Sequence, residues 1–208
     1  MTPESLIIVL YVIAVAASAM SGAVAAGRRS MDWVGVLIIA AVTALGGGSM
    51  RDVLLGHYPL FWVQNVWVLG VVAAAAFLTI LFARFVHRLR RAYLLLDAIG
   101  LVVVTIVGCD VAMQDGHHVV IVVLAGVLTG CIGGVLRDVL CNQVPLLFSS
   151  ELYASVSVLT GSLYVGGLAL GLEHDAVAIV AVAAGLTLRL LAVRFGWGMP
   201  KFIYTKDW

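Results

Sequence analysis

Two segments of this chain are near copies of each other, and neither suits an ordinary apolar helix. Gly47-Gly48-Ser49-Met50-Arg51-Asp52-Val53-Leu54 and Gly133-Gly134-Val135-Leu136-Arg137-Asp138-Val139-Leu140 each set a glycine pair and an Arg-Asp pair inside an apolar run. Glycine weakens a helix interior by roughly 0.5–1 kcal/mol relative to alanine. A charge at the centre of a bilayer costs about 2.5–3.5 kcal/mol even on insertion scales. A feature this costly, occurring twice, reads first as a broken and charged membrane helix of a transport pathway.

The rest of the chain demands a membrane. Of 208 residues, 63% are hydrophobic and only 11% charged, with a mean hydropathy of +1.13; soluble domains average about 25% charged residues. A net charge of +1 excludes the strongly basic footprint of a nucleic-acid binder. Three scattered cysteines (Cys109, Cys131 and Cys141) offer neither a disulfide framework nor a CxxC metal pair and read as small apolar fillers. The apolar start ends in Ala17-Ser18-Ala19 like a cleavage site. Its leading segment carries Glu4 and no basic residue, however, and the apolar run continues, so a retained first span is expected.

A span needs about 20 apolar residues. Seven segments qualify, at roughly 5–26, 34–56, 64–84, 92–112, 119–141, 150–171 and 176–196. The third begins among Tyr58, Pro59, Phe61, Trp62 and Trp67, a composition typical of a membrane interface. One set of ends carries Arg28, Arg29, Arg84, Arg88, Arg90, Arg91, Arg194, Lys201 and Lys206; the other carries Glu4, Asp110, Asp115, Glu173 and Asp175 with His57, His117 and His118. The positive-inside rule then places the N-terminus outside and the C-terminus in the cytoplasm of a multi-pass cell (inner) membrane protein. The Arg84–Arg91 stretch is the one charge cluster; it serves as a topology determinant or as a contact for anionic lipid.

Sliding the chain by 86 positions superposes Gly47 on Gly133, Gly48 on Gly134, Arg51 on Arg137, Asp52 on Asp138, Pro59 on Pro145 and Gly22 on Gly108. The unit is three spans long, about 5–84 and again about 92–171, with an extra helix at about 176–196, all in a single membrane domain over 1–208. An odd number of spans forces the second copy to insert the other way up, giving an inverted-topology repeat. The fold class is thus all-α, seven transmembrane helices in two inverted three-helix repeats plus one.

Gly46, Gly47, Gly48, Gly130, Gly133 and Gly134 are expected to unwind the second and fifth spans near the bilayer centre, where freed carbonyls face water or ions. Close packing through small-xxx-small steps is the other reading, and it is preferred for Gly161, Gly167 and Gly171. Arg51 and Asp52 project about 100° apart, so each is expected to seek a partner elsewhere; pseudo-symmetry suggests Arg51 with Asp138 and Asp52 with Arg137. Snorkelling arginines beside backbone-capping aspartates remain open as the simpler arrangement. Asp97, deep in the fourth span, is a candidate member of this charged network. Arg189 is explained by snorkelling, and Ser18, Ser21, Thr105 and Thr129 are candidates to line a water path.

At these motifs the chain resembles the trimeric intracellular cation channel family, in its short prokaryotic branch, whose three-span unit is also described as a glycine transporter domain. The match rests on Gly46-Gly47-Gly48 with Arg51-Asp52, Gly133-Gly134 with Arg137-Asp138, and the following Pro59 and Pro145, and it covers nearly the whole chain. The resemblance implies a homotrimer with a pore in every protomer, bounded mainly by spans one, two, four and five. It also implies permeation by potassium and sodium and kinks at both glycine motifs. The second copy reads Gly130-Cys131-Ile132-Gly133-Gly134, so its kink is expected to be weaker. The lysine-bearing lipid and voltage-response elements of animal members cannot be carried over residue by residue, since the only lysines are Lys201 and Lys206.

Three functional classes follow. A monovalent-cation channel leads. A secondary transporter of glycine or another small zwitterion is second: arginine would hold the carboxylate, and aspartate or carbonyls the ammonium. A scaffold using both motifs only for helix packing is third. No cofactor, metal or nucleic acid is called for, and no nucleophile elbow or H-x-x-x-H supports an enzyme.

Overall fold

The computed structural model describes residues 3–82, 89–149 and 152–199. Nine helices and no strand occur among them: α1 (Pro3–Gly27), α2 (Trp33–Leu55), α3 (Phe61–Gln64), α4 (Trp67–Phe82), α5 (Leu89–Gln114), α6 (Val119–Leu140), α7 (Leu146–Ser149), α8 (Tyr153–Ala169) and α9 (His174–Phe195). The seven longer helices occupy the seven expected spans within a few residues. Five are long and apolar enough to cross a membrane. The other two, α4 with 16 residues and α8 with 17, occupy the same place in their repeats. Each is preceded by a four-residue helix, α3 or α7, which starts just after Pro59 or Pro145.

Helix ends follow local chemistry. Asp32 caps α2 by accepting the Gly35 N–H at 2.7 Å, and Gly56 ends it in the left-handed conformation, φ 77°. Glu173 caps α9 in the same way, and Gly196 ends it at φ 68°. Gly171, expected to be a packing glycine, instead closes α8 at φ 74° with open space around it.

α1, α2, α6 and α5 form a ring in which each touches the next, while the diagonal pairs meet sparingly. α4 lies outside against α1 and α2, α8 outside against α5 and α6, and α9 covers α8 and α5. Apolar burial follows the repeats. One core joins Val15, Ala19, Ala40 and Val72 of α1, α2 and α4; another joins Ile106, Val122, Tyr164 and Ala178 of α5, α6, α8 and α9. Ser18, Ser21, Thr43, Asp97, Thr129 and Arg137 are gathered at the seam between the two cores.

Both glycine-bearing helices stay helical throughout, which corrects the expectation of unwound segments. At Gly47 and Gly133 the missing side chain serves close approach. A carbon added to Gly47 would collide with the Thr129 carbonyl oxygen, and one added to Gly133 with the Thr43 carbonyl oxygen. The two contacts are images of each other under the 86-position shift, and they run in opposite directions along the helices, so α2 and α6 cross antiparallel. The inverted repeat is thereby visible in atomic contacts. The same relation pairs Gly22 of α1, whose added carbon would meet Thr43 Oγ1 at 2.5 Å, with Gly108 of α5, which would meet Thr129 Oγ1 at 2.6 Å. Gly130, with Gly126, faces the Leu101 and Thr105 carbonyls of α5 rather than α2. Gly161 and Gly167 pack, as expected, against Cys109 and Val177.

Candidate functional site

At a rise of 1.5 Å per residue, each Arg-Asp pair lies one turn, about 6 Å, beyond its crossing glycine, and antiparallel helices carry the two pairs to opposite sides of the crossing. All four side chains are buried.

The pairing differs from expectation. Arg51 turns back on its own neighbour, with Nη2 2.6 Å and Nε 3.0 Å from Asp52 Oδ1. Arg137 does likewise, with Nε 2.8 Å from Asp138 Oδ1. Neither cross-repeat pair, Arg51 with Asp138 or Asp52 with Arg137, forms. The 100° between adjacent residues separates their Cβ directions, but the long, forked guanidinium reaches around it. Nor do the arginines snorkel, since both are sealed inside protein.

Each aspartate has a second task that the sequence reading missed. Asp52 Oδ2 accepts the Phe61 N–H at 3.0 Å, and Asp138 Oδ2 accepts the Leu146 N–H at 2.9 Å. These are the first residues of α3 and α7, so one carboxylate neutralises the arginine and caps the next helix. The signal was available in Pro59 and Pro145, each seven residues after its aspartate.

Beyond the shared pattern the two sites diverge. Arg137 Nη1 donates to Asp97 Oδ1 at 2.6 Å and to Ser21 Oγ at 3.0 Å, and the guanidinium lies 4.7 Å from the Tyr93 ring centroid. Tyr93 and Tyr153 hydroxyls donate to Asp138 and Asp97, each at 3.3 Å. Asp97 is thus a network member, brought in from α5. On the other side, Tyr11 makes edge contacts with Phe61 and Trp67, at 5.1 Å and 6.5 Å, and Trp62 donates to Ser49 Oγ at 3.0 Å. Part of the expected aromatic belt therefore touches α1 and α2, while Tyr58, Phe61 and Trp67 stay exposed. Arg189 is fully buried with its guanidinium 4.7 Å from the Tyr153 centroid, which replaces the snorkelling explanation with a cation–π contact against α8.

A polar cavity of about 20 Å³, roughly the space one water needs, lies beside Arg137 among Ser18, Ser21, Thr43, Asp97, Thr129 and Tyr153. A second of about 20 Å³ lies beside Arg51 among Tyr11, Ser49, Asp52, Trp62 and Thr129. Asp97 Oδ2 and Arg137 Nη2 have no hydrogen-bond partner among the described residues. Gly134, whose added carbon would meet the Tyr153 hydroxyl at 2.8 Å, leaves the room they occupy; Gly46 packs on Leu136, and Gly48 lies open toward Arg51. Thr43 was missed in the sequence, although the shift onto Thr129 marks it. Thr105 bonds Ser157 at 2.6 Å and is not at the cavity. All three cysteines are buried and free. No group of three or more His, Cys, Asp or Glu among the described residues is arranged to hold a metal.

A family model described as glycine transporter matches residues 8–84 and 94–169, one copy per repeat. A UPF0126 membrane protein of Vibrio cholerae is 37% identical over 97% of this chain and 85% of its own length. The UPF0126 inner membrane protein YadS of Escherichia coli K12 is 34% identical over 93% of this chain and 94% of its own. Among solved structures, the trimeric intracellular cation channel orthologue from Rhodobacter sphaeroides superposes with a TM-score of 0.89 at 31% identity, covering 92% of this chain and 99% of that one. A second, from work on conductance through TRIC cation channels, gives 0.86 at 33% identity, covering 96% and 98%.

Proposed function

Because the chain belongs to the trimeric intracellular cation channel family, in its prokaryotic branch, we propose that it is a monovalent-cation channel whose protomer conducts potassium and sodium through the seam between α1, α2, α5 and α6. One observation carries the reading: charged side chains buried between two inverted repeats, each beside a small polar cavity. The cavities stand on either side of the α2–α6 crossing and describe a closed path. Arg51 and Arg137 act as latches. Each is neutralised by its own aspartate, so that neither repels cations while latched, and each must shift for ions to pass. Gly46, Gly47, Gly48, Gly130, Gly133 and Gly134 line or shape this path, and Asp52, Asp97 and Asp138 balance its charge.

The assembly is a homotrimer in the bacterial inner membrane, with the arginine-rich loops and C-terminus cytoplasmic. On that face Arg28, Arg90, Arg91 and Arg194 border a pocket of about 860 Å³, which suits contact with anionic lipid; Arg84 and Arg88, named for the same role, lie outside the described residues.

The test is purified protein in planar bilayers under asymmetric potassium chloride. Unitary cation currents are expected, and Arg137→Ala should change open probability or conductance. Currents unchanged in both Arg51→Ala and Arg137→Ala overturn the latch role. A second reading, transport of glycine or another small zwitterion, is favoured by one detail: Asp97 Oδ2 and Arg137 Nη2, unpartnered and of opposite charge, match an ammonium and a carboxylate. The cavity must enlarge before glycine fits. Saturable, competable glycine uptake without unitary currents decides for it.

A further inference from the structure

The face opposite the arginine-rich loops gathers imidazoles and carboxylates away from the arginine seam. His57 follows the left-handed Gly56 that ends α2. Its Nε2 lies 3.0 Å from Asp115 Oδ2 in the α5–α6 turn, and its Nδ1 lies 4.0 Å from Asp52 Oδ1. His117 Nε2 lies 3.9 Å from the same Asp115 oxygen. The charged groups facing His57 are therefore Asp52 and, through it, Arg51 on α2, with Asp115 and His117 in the turn. The side chains of His57, Asp115 and His117 are 36%, 30% and 40% exposed, so bulk protons reach them. One imidazole spans the two repeats.

The opposite face shows a related joint without an imidazole. A shift of 86 positions carries Gly56 onto Asn142, His57 onto Gln143 and Arg29 onto Asp115. There the joint is closed by Arg29, whose Nη2 donates to the Asn142 carbonyl at 2.8 Å. Arginine stays charged at any physiological pH, whereas imidazoles exchange a proton between about pH 5 and 8. A single architectural joint is thus built once with fixed charge and once with a switchable one.

The geometry points to His57 as a proton-sensitive clasp that ties the two repeats together at one mouth of the molecule and restricts cation passage when protonated. A neutral ring has a single N–H, which the Asp115 contact takes at Nε2, leaving a lone pair at Nδ1 toward Asp52. Proton uptake puts an N–H on both nitrogens. The ring then bridges Asp115 of the second repeat and Asp52 of the first, and Asp52 divides its charge between His57 and Arg51. Acid on this face tightens the joint above the Arg51 latch. The effect on passage rests on the channel reading; the clasp does not.

Two measurements on the full-length protein in lipid vesicles test it. Between pH 8 and pH 5.5, amides of residues 56–58, 60 and 115–118 should gain about threefold protection from hydrogen exchange, after correction for intrinsic rates, as expected for a partly exposed charged pair. His57→Gln should lose the gain. His118→Gln, a change at the α6 cap that touches neither aspartate, should keep it. Potassium flux should fall about threefold when that face is acidified, in wild type and His118→Gln but not in His57→Gln. A protection gain that persists in His57→Gln, or none in wild type, overturns the clasp; flux indifferent to pH alongside a proton-dependent joint overturns its control of passage. Absence of flux at every pH, with the protection gain intact, counts against the channel reading and leaves the clasp standing.

Discussion

Asp97 makes the two arginine sites unequal. Shifted back by 86 positions it falls on Tyr11, so Arg51 has one carboxylate where Arg137 has two. Removing one partner of a buried ion pair typically costs about 3–5 kcal/mol, whereas a neutral hydrogen bond contributes about 1 kcal/mol. Asp97→Ala is therefore expected to destabilise the protein by about 3 kcal/mol and Ser21→Ala by about 1 kcal/mol. Thermal unfolding of both variants in detergent checks this, and equal losses would sink the idea that Asp97 carries the site. The sequence marked Asp97 as a candidate member of the charged network, deep in a span, but not its partner. Its partner sits 40 residues away on α6, a relation no spacing rule reports. The neighbour pairs Arg51–Asp52 and Arg137–Asp138 were misread for a related reason: helical geometry fixes where Cβ points, not where a long side chain ends.

The glycines of α2 and α6 separate two uses of a missing side chain, bending a helix and letting another helix in. Gly47→Ala and Gly133→Ala each drive a methyl into backbone that cannot rotate away, and overpacking of this kind costs about 1–3 kcal/mol. Gly48→Ala meets only Arg51 Nη2 at 3.9 Å and should be neutral or stabilising by up to about 1 kcal/mol. Because Gly47 and Gly133 guard one crossing, the double variant should lose less than the sum of the singles. Melting temperatures across the four proteins check this, and a large loss in Gly48→Ala would point to a bending role at that position. Span positions, the extra seventh helix and the duplication were legible in the sequence, because apolar run length and a fixed shift are one-dimensional signals. Helix continuity through Gly46–Gly48 was not, because composition shows that the side chain is absent and not what fills its place. α3 and α7 were also hidden: four residues each, they are held by a remote aspartate rather than by a pattern of their own.

For the molecule as a whole, the charge asymmetry of the loops predicts sidedness. Ser30→Cys and His117→Cys stand on opposite faces, and the native cysteines are buried. A membrane-impermeant thiol reagent should modify His117→Cys in intact cells and Ser30→Cys only after permeabilisation; the reverse pattern would overturn the orientation. The reciprocal contacts of Gly47 with Thr129 and of Gly133 with Thr43 carry a mechanical consequence. Two antiparallel rods pinned at one point behave as a seesaw: tilting either about that pivot widens one entrance while narrowing the other. A tilt alone thus exposes the interior to one compartment at a time, the motion a carrier needs. On the channel reading proposed above, an uninterrupted conduit requires instead that both arginine arms swing aside while the pivot stays fixed.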